Sequence, residues 1–150
     1  MSVKRVSPEE AKSLMENEGY SYLDVRSIPE FEAGHPAGAY NIPIAHKAQG
    51  GMRPNGGFLA EVASVFPKDA KLVVGCNSGG RSLRAAQALM QTGYENVVDQ
   101  RAGFNGTRDS FGQLQEAGWQ RAGLDVALEA ESGRSYAELT GTGKDAEDGR

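Results

Sequence analysis

Cys76 is the single cysteine of the chain, and the residues around it are of the types that make a thiol reactive. Leu72-Val73-Val74-Gly75 reads as a buried strand, Cys76-Asn77-Ser78-Gly79-Gly80-Arg81 as a tight loop, and Ser82 to Thr92 as a helix. A thiol at the end of a strand, inside a loop that opens a helix, faces free backbone N–H groups and the positive end of the helix dipole. Both stabilise an anion, and the thiolate is the nucleophilic form of cysteine. Arg81 adds a fixed positive charge and a forked donor at the far end of the loop. The competing reading is an inert core thiol, since cysteine is among the most buried residue types. The run Gly79-Gly80-Arg81-Ser82 argues against it. Two glycines let the backbone curl closely around a ligand, and a sequence that needs only a core thiol has no use for them.

A loop of this kind must be held by a scaffold, and 150 residues suffice for one domain with a real core. A formal net charge of −4 argues against nucleic acid or an anionic membrane as the main partner. One cysteine excludes an internal disulfide and fits a reducing compartment, so a cytoplasmic location is expected. Met1-Ser2-Val3-Lys4-Arg5 leads into a polar helix with no apolar run behind it, so no secretory leader and no membrane span are expected. His35 and His46 do not have a metal-binding spacing, and no dinucleotide or P-loop pattern is present; neither metal nor cofactor is expected. A monomer is the default.

Along the chain, Ser7-Pro8-Glu9-Glu10 is a helix start, with Ser7 as N-cap, Pro8 at the first helical position and Glu10 as capping-box partner. The helix should run to about Asn17, turn Ala11, Leu14 and Met15 inward, and end at Gly19. Tyr20 to Val25 reads as a strand, Ser27-Ile28-Pro29-Glu30 opens a short helix through Glu32, and Ala39 to Ile42 reads as a short strand stopped by Pro43. Ala45 to Gly57 reads as a glycine-rich loop, and Phe58 to Phe66 as a helix with Phe58, Leu59, Val62 and Val65 or Phe66 inward. After the Cys76 unit, Asn96 to Asp99 is a further strand, and Arg101 to Gly106 a loop with a helix start. Alternating strands and helices predict an α/β fold, with a mainly parallel central sheet flanked by helices. In such sheets the site lies at the carboxyl ends of the strands, where Cys76 and Arg26 both fall. Residues 1–127 should form the domain. Residues 128–150 should form a polar, flexible tail, with a brief helix over Leu128 to Tyr136 and a glycine-rich end from Thr140 to Arg150.

With these residues in place, the chain resembles the single-domain rhodanese family of sulfurtransferases from about Val6 to Val126. Three pieces carry the likeness. Tyr22-Leu23-Asp24-Val25-Arg26 with Glu30-Phe31, Gly34-His35, Gly38-Ala39 and Asn41-Ile42-Pro43 is similar to the family's amino-terminal signature. Cys76 to Arg81 is similar to its active-site loop. Gly103-Phe104 stands where the family shows a pair of glycines followed by a tryptophan. The wording of the loop and the Ala45–Gly57 insert look most like the small plant and bacterial members. The chain departs from the pattern at Ala102, in place of the first glycine, and in the displaced tryptophan, for which Trp119 is the substitute in packing.

The resemblance implies a rhodanese-like fold with the active-site loop between a central strand and a helix. It implies that Cys76 as thiolate takes the outer sulfur of thiosulfate or a similar donor, carries it as a persulfide, and yields it to cyanide or a thiol. Asn77, Ser78, Gly79, Gly80, Arg81 and Ser82 would cradle the persulfide through backbone N–H groups. Ser78 or Ser82 could hydrogen-bond the sulfur or cap the helix, with capping favoured for Ser82, and Arg81 is expected to aid loop architecture and the anionic donor, or else to make a salt bridge at the helix start. Asp24 and Arg26 read as a structural pair that could also support the loop, and His35 as a turn-fixing residue. Arg53 and Lys47 are candidates for donor recognition. Two rival readings stand beside this one. A phosphatase or arsenate reductase would need a larger cradle than the four residues between Cys76 and Arg81. A persulfide carrier or protein-binding module would pass sulfur to a protein acceptor with little small-molecule turnover.

Overall fold

Three consecutive residues before Cys76 set the layering. Leu72 and Val74 pack into one hydrophobic cluster and Val73 into another, the alternation of a strand buried on both faces. Leu23 and Tyr22 divide in the same way, as do Val97 and Val98. The computed structural model describes residues 2–141. Its elements in chain order are β1 (Lys4–Val6), α1 (Pro8–Asn17), β2 (Ser21–Asp24), α2 (Ile28–Glu32), β3 (His35–Pro36), β4 (Tyr40–Asn41), β5 (Ala45–Ala48), β6 (Gly51–Pro54), α3 (Phe58–Val65), β7 (Lys71–Gly75), α4 (Gly80–Gln91), β8 (Asn96–Gln100), β9 (Thr107–Arg108), β10 (Leu114–Glu116), β11 (Val126–Ala127) and α5 (Tyr136–Thr140).

The central sheet has the order β1-β8-β7-β2-β4, and all four of its pairings are parallel. β7 is therefore the middle strand, with Leu23 beside Val74 on one flank and Val74 beside Asp99 on the other. Side chains from α3 and α4 fill one face, with Phe58, Val62, Ala85, Ala86 and Leu89 buried there. Ala11 of α1, Phe31, Phe104 and Trp119 fill the other. The parallel arrangement brings the carboxyl ends of β2, β7 and β8 to one edge, and the loops that leave them meet.

α1 starts as its sequence dictates: Glu10 N donates to Ser7 Oγ at 3.0 Å and Ser7 N donates to Glu10 Oε1 at 2.8 Å. Several expectations are corrected. The chain opens with the edge strand β1 before α1; three residues with two exposed cations carry no strand pattern, and an edge position tolerates such charges. The expected 45–57 loop holds a hairpin, β5 against β6, turning at Gln49-Gly50. Its strands contain no β-branched residue and end in a proline, which hides them from a propensity reading. Leu59 is 37% exposed, so it does not share the buried face of α3. Residues 101–106 form turns with no helix.

Part of the expected tail, within residues 128–141, makes contacts with the rest of the chain. Asn41 N donates to the Arg134 carbonyl at 3.0 Å, and Arg134 Nη1 donates to the Gly38 carbonyl at 2.8 Å. Tyr136 is 5% exposed and donates through its hydroxyl to Glu61 Oε2 of α3 at 2.7 Å. The segment looks like a tail in sequence because two separated apolar residues, Tyr136 and Leu139, anchor it. Residues 142–150 of the expected tail lie outside the described residues. Replacing Tyr136 with alanine should lower stability by about 2–4 kcal/mol in urea unfolding, the cost of emptying an aromatic core site. A loss within experimental error would mean that the segment only rests on the surface.

Candidate active site

β7 ends at Gly75, and Cys76 follows at the start of the loop into α4. Its thiol is free and the residue is 2% exposed. The Gly79 amide donates to Sγ at 3.1 Å and the Ser82 amide at 3.4 Å. These two N–H groups belong to the N-cap and the first turn of α4, where helical partners are lacking, so they are available to sulfur. Gly79 achieves the turn with φ at +99°, and a Cβ there would come within 2.5 Å of the Arg101 carbonyl oxygen. Glycine is required at this corner on both counts. Gly79, and not Ser82, is the N-cap. Ser82 lies in the first turn, fully buried, and its hydroxyl accepts from Cys76 Sγ at 3.4 Å while donating to Asp99 Oδ1. The capping role expected for Ser82 is replaced by a bridge between the thiol and a buried carboxylate.

The outer side of the loop is held from α2. Arg81 makes a two-pronged pair with Glu30, Nη1 to Oε1 at 2.8 Å and Nη2 to Oε2 at 2.9 Å. Glu30 also accepts from Asn77 Nδ2 at 2.5 Å, Ser27 N at 3.0 Å and Ser27 Oγ at 2.8 Å. Burial by itself would raise the Glu30 carboxyl, but the Arg81 and Ser27 hydrogen bonds outweigh it and hold the group at about 2. The hydrogen bonds to Glu30 raise the Arg81 guanidinium in turn. Arg81 thus makes an ion pair at the start of α4. Glu30 was legible as a capping-box residue of α2; its tertiary link to the loop was not.

Asp24 and Arg26 form a buried pair at the end of β2, with Arg26 Nη2 2.8 Å and Nε 3.0 Å from the Asp24 carboxylate. The same guanidinium donates to the Gly34 carbonyl at 2.7 Å and to Asn77 Oδ1 at 3.1 Å, and lies 4.5 Å from the centre of the Phe104 ring. The pair thus joins the end of β2 to the Cys76 loop. His35 is buried, stacks on Phe31 at 3.6 Å between centroids, and shares a 2.7 Å hydrogen bond with the Phe31 carbonyl, a turn-fixing position. Arg53 and Lys47 stand exposed on the β5–β6 hairpin, and no hydrogen bond or ion pair among the described residues joins either to the Cys76 loop.

Beneath the loop lies the turn after β8. Phe104 N donates to the Cys76 carbonyl at 2.7 Å and Asn105 N to the Asn77 carbonyl at 2.9 Å. Gly103 has φ at +69°, and a Cβ there would sit 2.3 Å from the carbonyl carbon and oxygen of Asn77. Ala102, where the resemblance expects glycine, is buried with its N–H on Gln100 Oε1 at 2.9 Å, so its methyl is accommodated. Trp119 is buried edge-on against Tyr22 and donates its backbone N–H to the Gly103 carbonyl at 2.8 Å. A groove of about 990 Å³ runs along this side, lined by Asn77, Ser78, Phe104, Arg108, Gln120 and Arg121 among others. Arg108 and Arg121 were not singled out in the sequence, since nothing local distinguishes them from solvated surface charges. Among the described residues no cluster of three or more His, Cys, Asp or Glu is placed to hold a metal, and no helix is long and apolar enough to cross a membrane.

A loop cysteine at the end of the middle strand of a parallel sheet, with helix-start amides closed on its sulfur, defines the class as an α/β domain with a cysteine loop at the carboxyl ends of its strands. Residues 7–110 match the family model of the Rhodanese-like domain, and the chain belongs to this family. It is 41% identical over 87 residues to thiosulfate sulfurtransferase 16, chloroplastic, of Arabidopsis thaliana, covering 58% of this chain and 72% of that protein. It is 42% identical over 86 residues to senescence-associated protein DIN1 of Raphanus sativus, covering 57% of this chain and 47% of that protein. Among solved structures, Rv0390 from M. tuberculosis superposes with a TM-score of 0.71 at 26% identity, covering 86% of this chain and all of that one.

Two outcomes check this geometry. Gly103→Ala should cost at least about 2 kcal/mol in urea unfolding, because the left-handed backbone and the contact with Asn77 both oppose a methyl group. Glu30→Gln should destabilise by about 1–2 kcal/mol at neutral pH by weakening charge-assisted bonds. Because the Glu30 carboxyl is depressed on folding, its contribution is complete above its ordinary value of 4.5 and is lost as pH falls towards about 2. The wild-type advantage in melts should therefore stay constant from pH 7 to about pH 5 and shrink below it.

Proposed function

We propose that this chain is a sulfurtransferase that moves sulfane sulfur from thiosulfate, or a similar anionic donor, to cyanide or a thiol through a persulfide on Cys76. The observation that carries the reading is the convergence of the Gly79 and Ser82 amides on Cys76 Sγ. Attack by Sγ on the outer sulfur of thiosulfate forms one S–S bond and breaks another, and sulfite leaves with the electron pair. The acceptor then attacks the terminal sulfur, and Cys76 departs as thiolate. Donors already aimed at sulfur stabilise the charge on both the thiolate and the persulfide without reorganising. Asn77, Ser78, Gly80 and Arg81 complete the loop around that position. A cradle one residue shorter than that of the related phosphatases suits a single sulfur atom better than a tetrahedral phosphate.

A second reading, transfer to a protein thiol, draws support from the groove beside Asn77 and Ser78. Its volume of about 990 Å³ far exceeds what thiosulfate fills, and two arginines line it. Phe111, 88% exposed, lies in the turn that joins β10 to β9, whose Thr107 and Arg108 line the groove. With no second cysteine to resolve the persulfide, the acceptor must come from outside the chain. A free, reactive thiol of this kind persists in reducing compartments, of which the cytoplasm is our choice; the first relative above is named as chloroplastic. We take the working form to be a monomer.

Intact-mass measurement after incubation with thiosulfate tests the central step. Wild type should gain one sulfur and lose it on adding cyanide or a thiol, while Cys76→Ser should gain none. An unchanged wild-type mass, with thiosulfate and with 3-mercaptopyruvate, would reject the transferase reading.

A further inference from the structure

Asp99 is fully buried in β8, beside Val74 of β7, and the sulfur transfer described above does not use it. A carboxylate is costly there, and an apolar residue would fill the space without that cost. Its position is nonetheless built. Cys76 Sγ donates to Ser82 Oγ at 3.4 Å, Ser82 Oγ donates to Asp99 Oδ1, and Arg5 Nε donates to Asp99 Oδ2 at 2.8 Å. Arg5 reaches across from β1 and also donates to the Gly79 carbonyl at 3.4 Å. The groups that face Asp99 are therefore Arg5 from β1, the Cys76 thiol from the end of β7, and from α4 the hydroxyl of Ser82. The donors form one continuous chain from thiol to carboxylate. Burial pushes the Asp99 carboxyl above its ordinary range, with the Ser82 and Arg5 bonds opposing. It is thus closer to accepting a proton than an exposed aspartate.

We propose that Asp99 stores the Cys76 proton for as long as Cys76 carries sulfur, with the Ser82 hydroxyl as the conduit. The inference rests on the sulfur-transfer reading and assigns its missing proton. The cycle starts from the arrangement the hydrogen bonds describe, with Cys76 Sγ–H directed at Ser82 Oγ and the Ser82 hydroxyl at the Asp99 carboxylate. As Sγ bonds to the outer sulfur of the donor, the thiol proton passes to Ser82 Oγ and the serine's own proton passes to Asp99 Oδ1. The donor S–S bond breaks and sulfite leaves with its electron pair. The product state holds a persulfide anion and a neutral Asp99. When the acceptor takes the terminal sulfur, the departing Cys76 thiolate recovers the proton by the same route. The buried site carries one negative charge before and after each step. Without this exchange, a persulfide anion and a carboxylate would face each other across a single hydroxyl, and two like charges so placed disfavour joint ionisation. Asp99 acts through Ser82 and is a positioning residue for the reaction.

The test combines infrared difference spectra with pH–rate profiles. On addition of thiosulfate, wild type should develop the carbonyl stretch of a protonated carboxylic acid, and Asp99→Asn should not. Asp99→Asn and Ser82→Ala should both lose about 10²-fold in kcat/KM near neutral pH. Both should recover part of the loss as pH rises, because solvent base then removes the proton instead. Ser82→Ala leaves the Asp99–Arg5 pair and the Ser82 amide in place, so it serves even if Asp99→Asn fails to fold. A persulfide seen by mass in wild type without the carboxylic-acid band would overturn the Asp99 assignment alone. Wild-type pH profiles in both variants would do the same. Absence of the persulfide itself would remove the transferase reading and this inference with it.

Discussion

The buried guanidinium of Arg26 ties together the parts of the molecule that make the site. It pairs with Asp24 at the end of β2, holds the Gly34 carbonyl, reaches Asn77 in the cysteine loop and lies on the Phe104 ring. These are four separate pieces of chain converging on one planar cation. A buried ion pair is weak grounds for stability, because desolvation offsets much of the attraction. Its value here is geometric. A guanidinium offers five donors in a fixed fork, so it is satisfied in one arrangement of its neighbours and leaves a buried charge exposed to loss in any other. The loop around Cys76 is one of those neighbours, and its position is coupled to the sheet through this contact.

The cysteine loop is then fastened on three sides by different means. Glu30 holds the outer side through Arg81 and Asn77. The turn at Gly103 holds the underside through backbone hydrogen bonds to the carbonyls of Cys76 and Asn77. Ser82 and Asp99 hold the inner side next to the sulfur itself. The three differ in electrostatic character. Glu30 is half-buried and firmly ionised, so it anchors without titrating near neutral pH. Asp99 is fully buried and pushed the other way, and it lies on the sulfur side. Two carboxylates within reach of one loop thus have environments that drive them apart, which separates an anchoring duty from a proton-handling one.

Much of this was legible because it is local. The buried run before Cys76, the glycines after it, the capping boxes at Ser7 and Ser27, and the strand–helix alternation are all short-range patterns in which backbone preference and side-chain chemistry agree. They place the cysteine at a strand end and make the fold class readable. Elements that failed to show were those whose stability comes from position. β1 is three residues with two cations, and it is a strand because β8 lies beside it. The hairpin of β5 and β6 has weak strand formers and exists through cross-strand pairing. The segment around Tyr136 looks polar, yet two apolar side chains suffice once α3 offers a surface.

The same division runs through the site. By itself the sequence determined where the single thiol lies, the loop that wraps it and the parallel α/β scaffold, because cysteine, glycine turn and helix start are adjacent in the chain. Tertiary structure alone decided what the loop's side chains do. Arg81 turns outward to Glu30, 51 residues away. Ser82 turns inward to Asp99, 17 residues away, and Arg5, 94 residues from Asp99, closes that chain from the sheet edge. No spacing rule links such positions. They meet because parallel pairing sets β1, β8, β7 and β2 side by side with their carboxyl ends together, and hydrogen-bonding groups buried at that edge must find partners across strands.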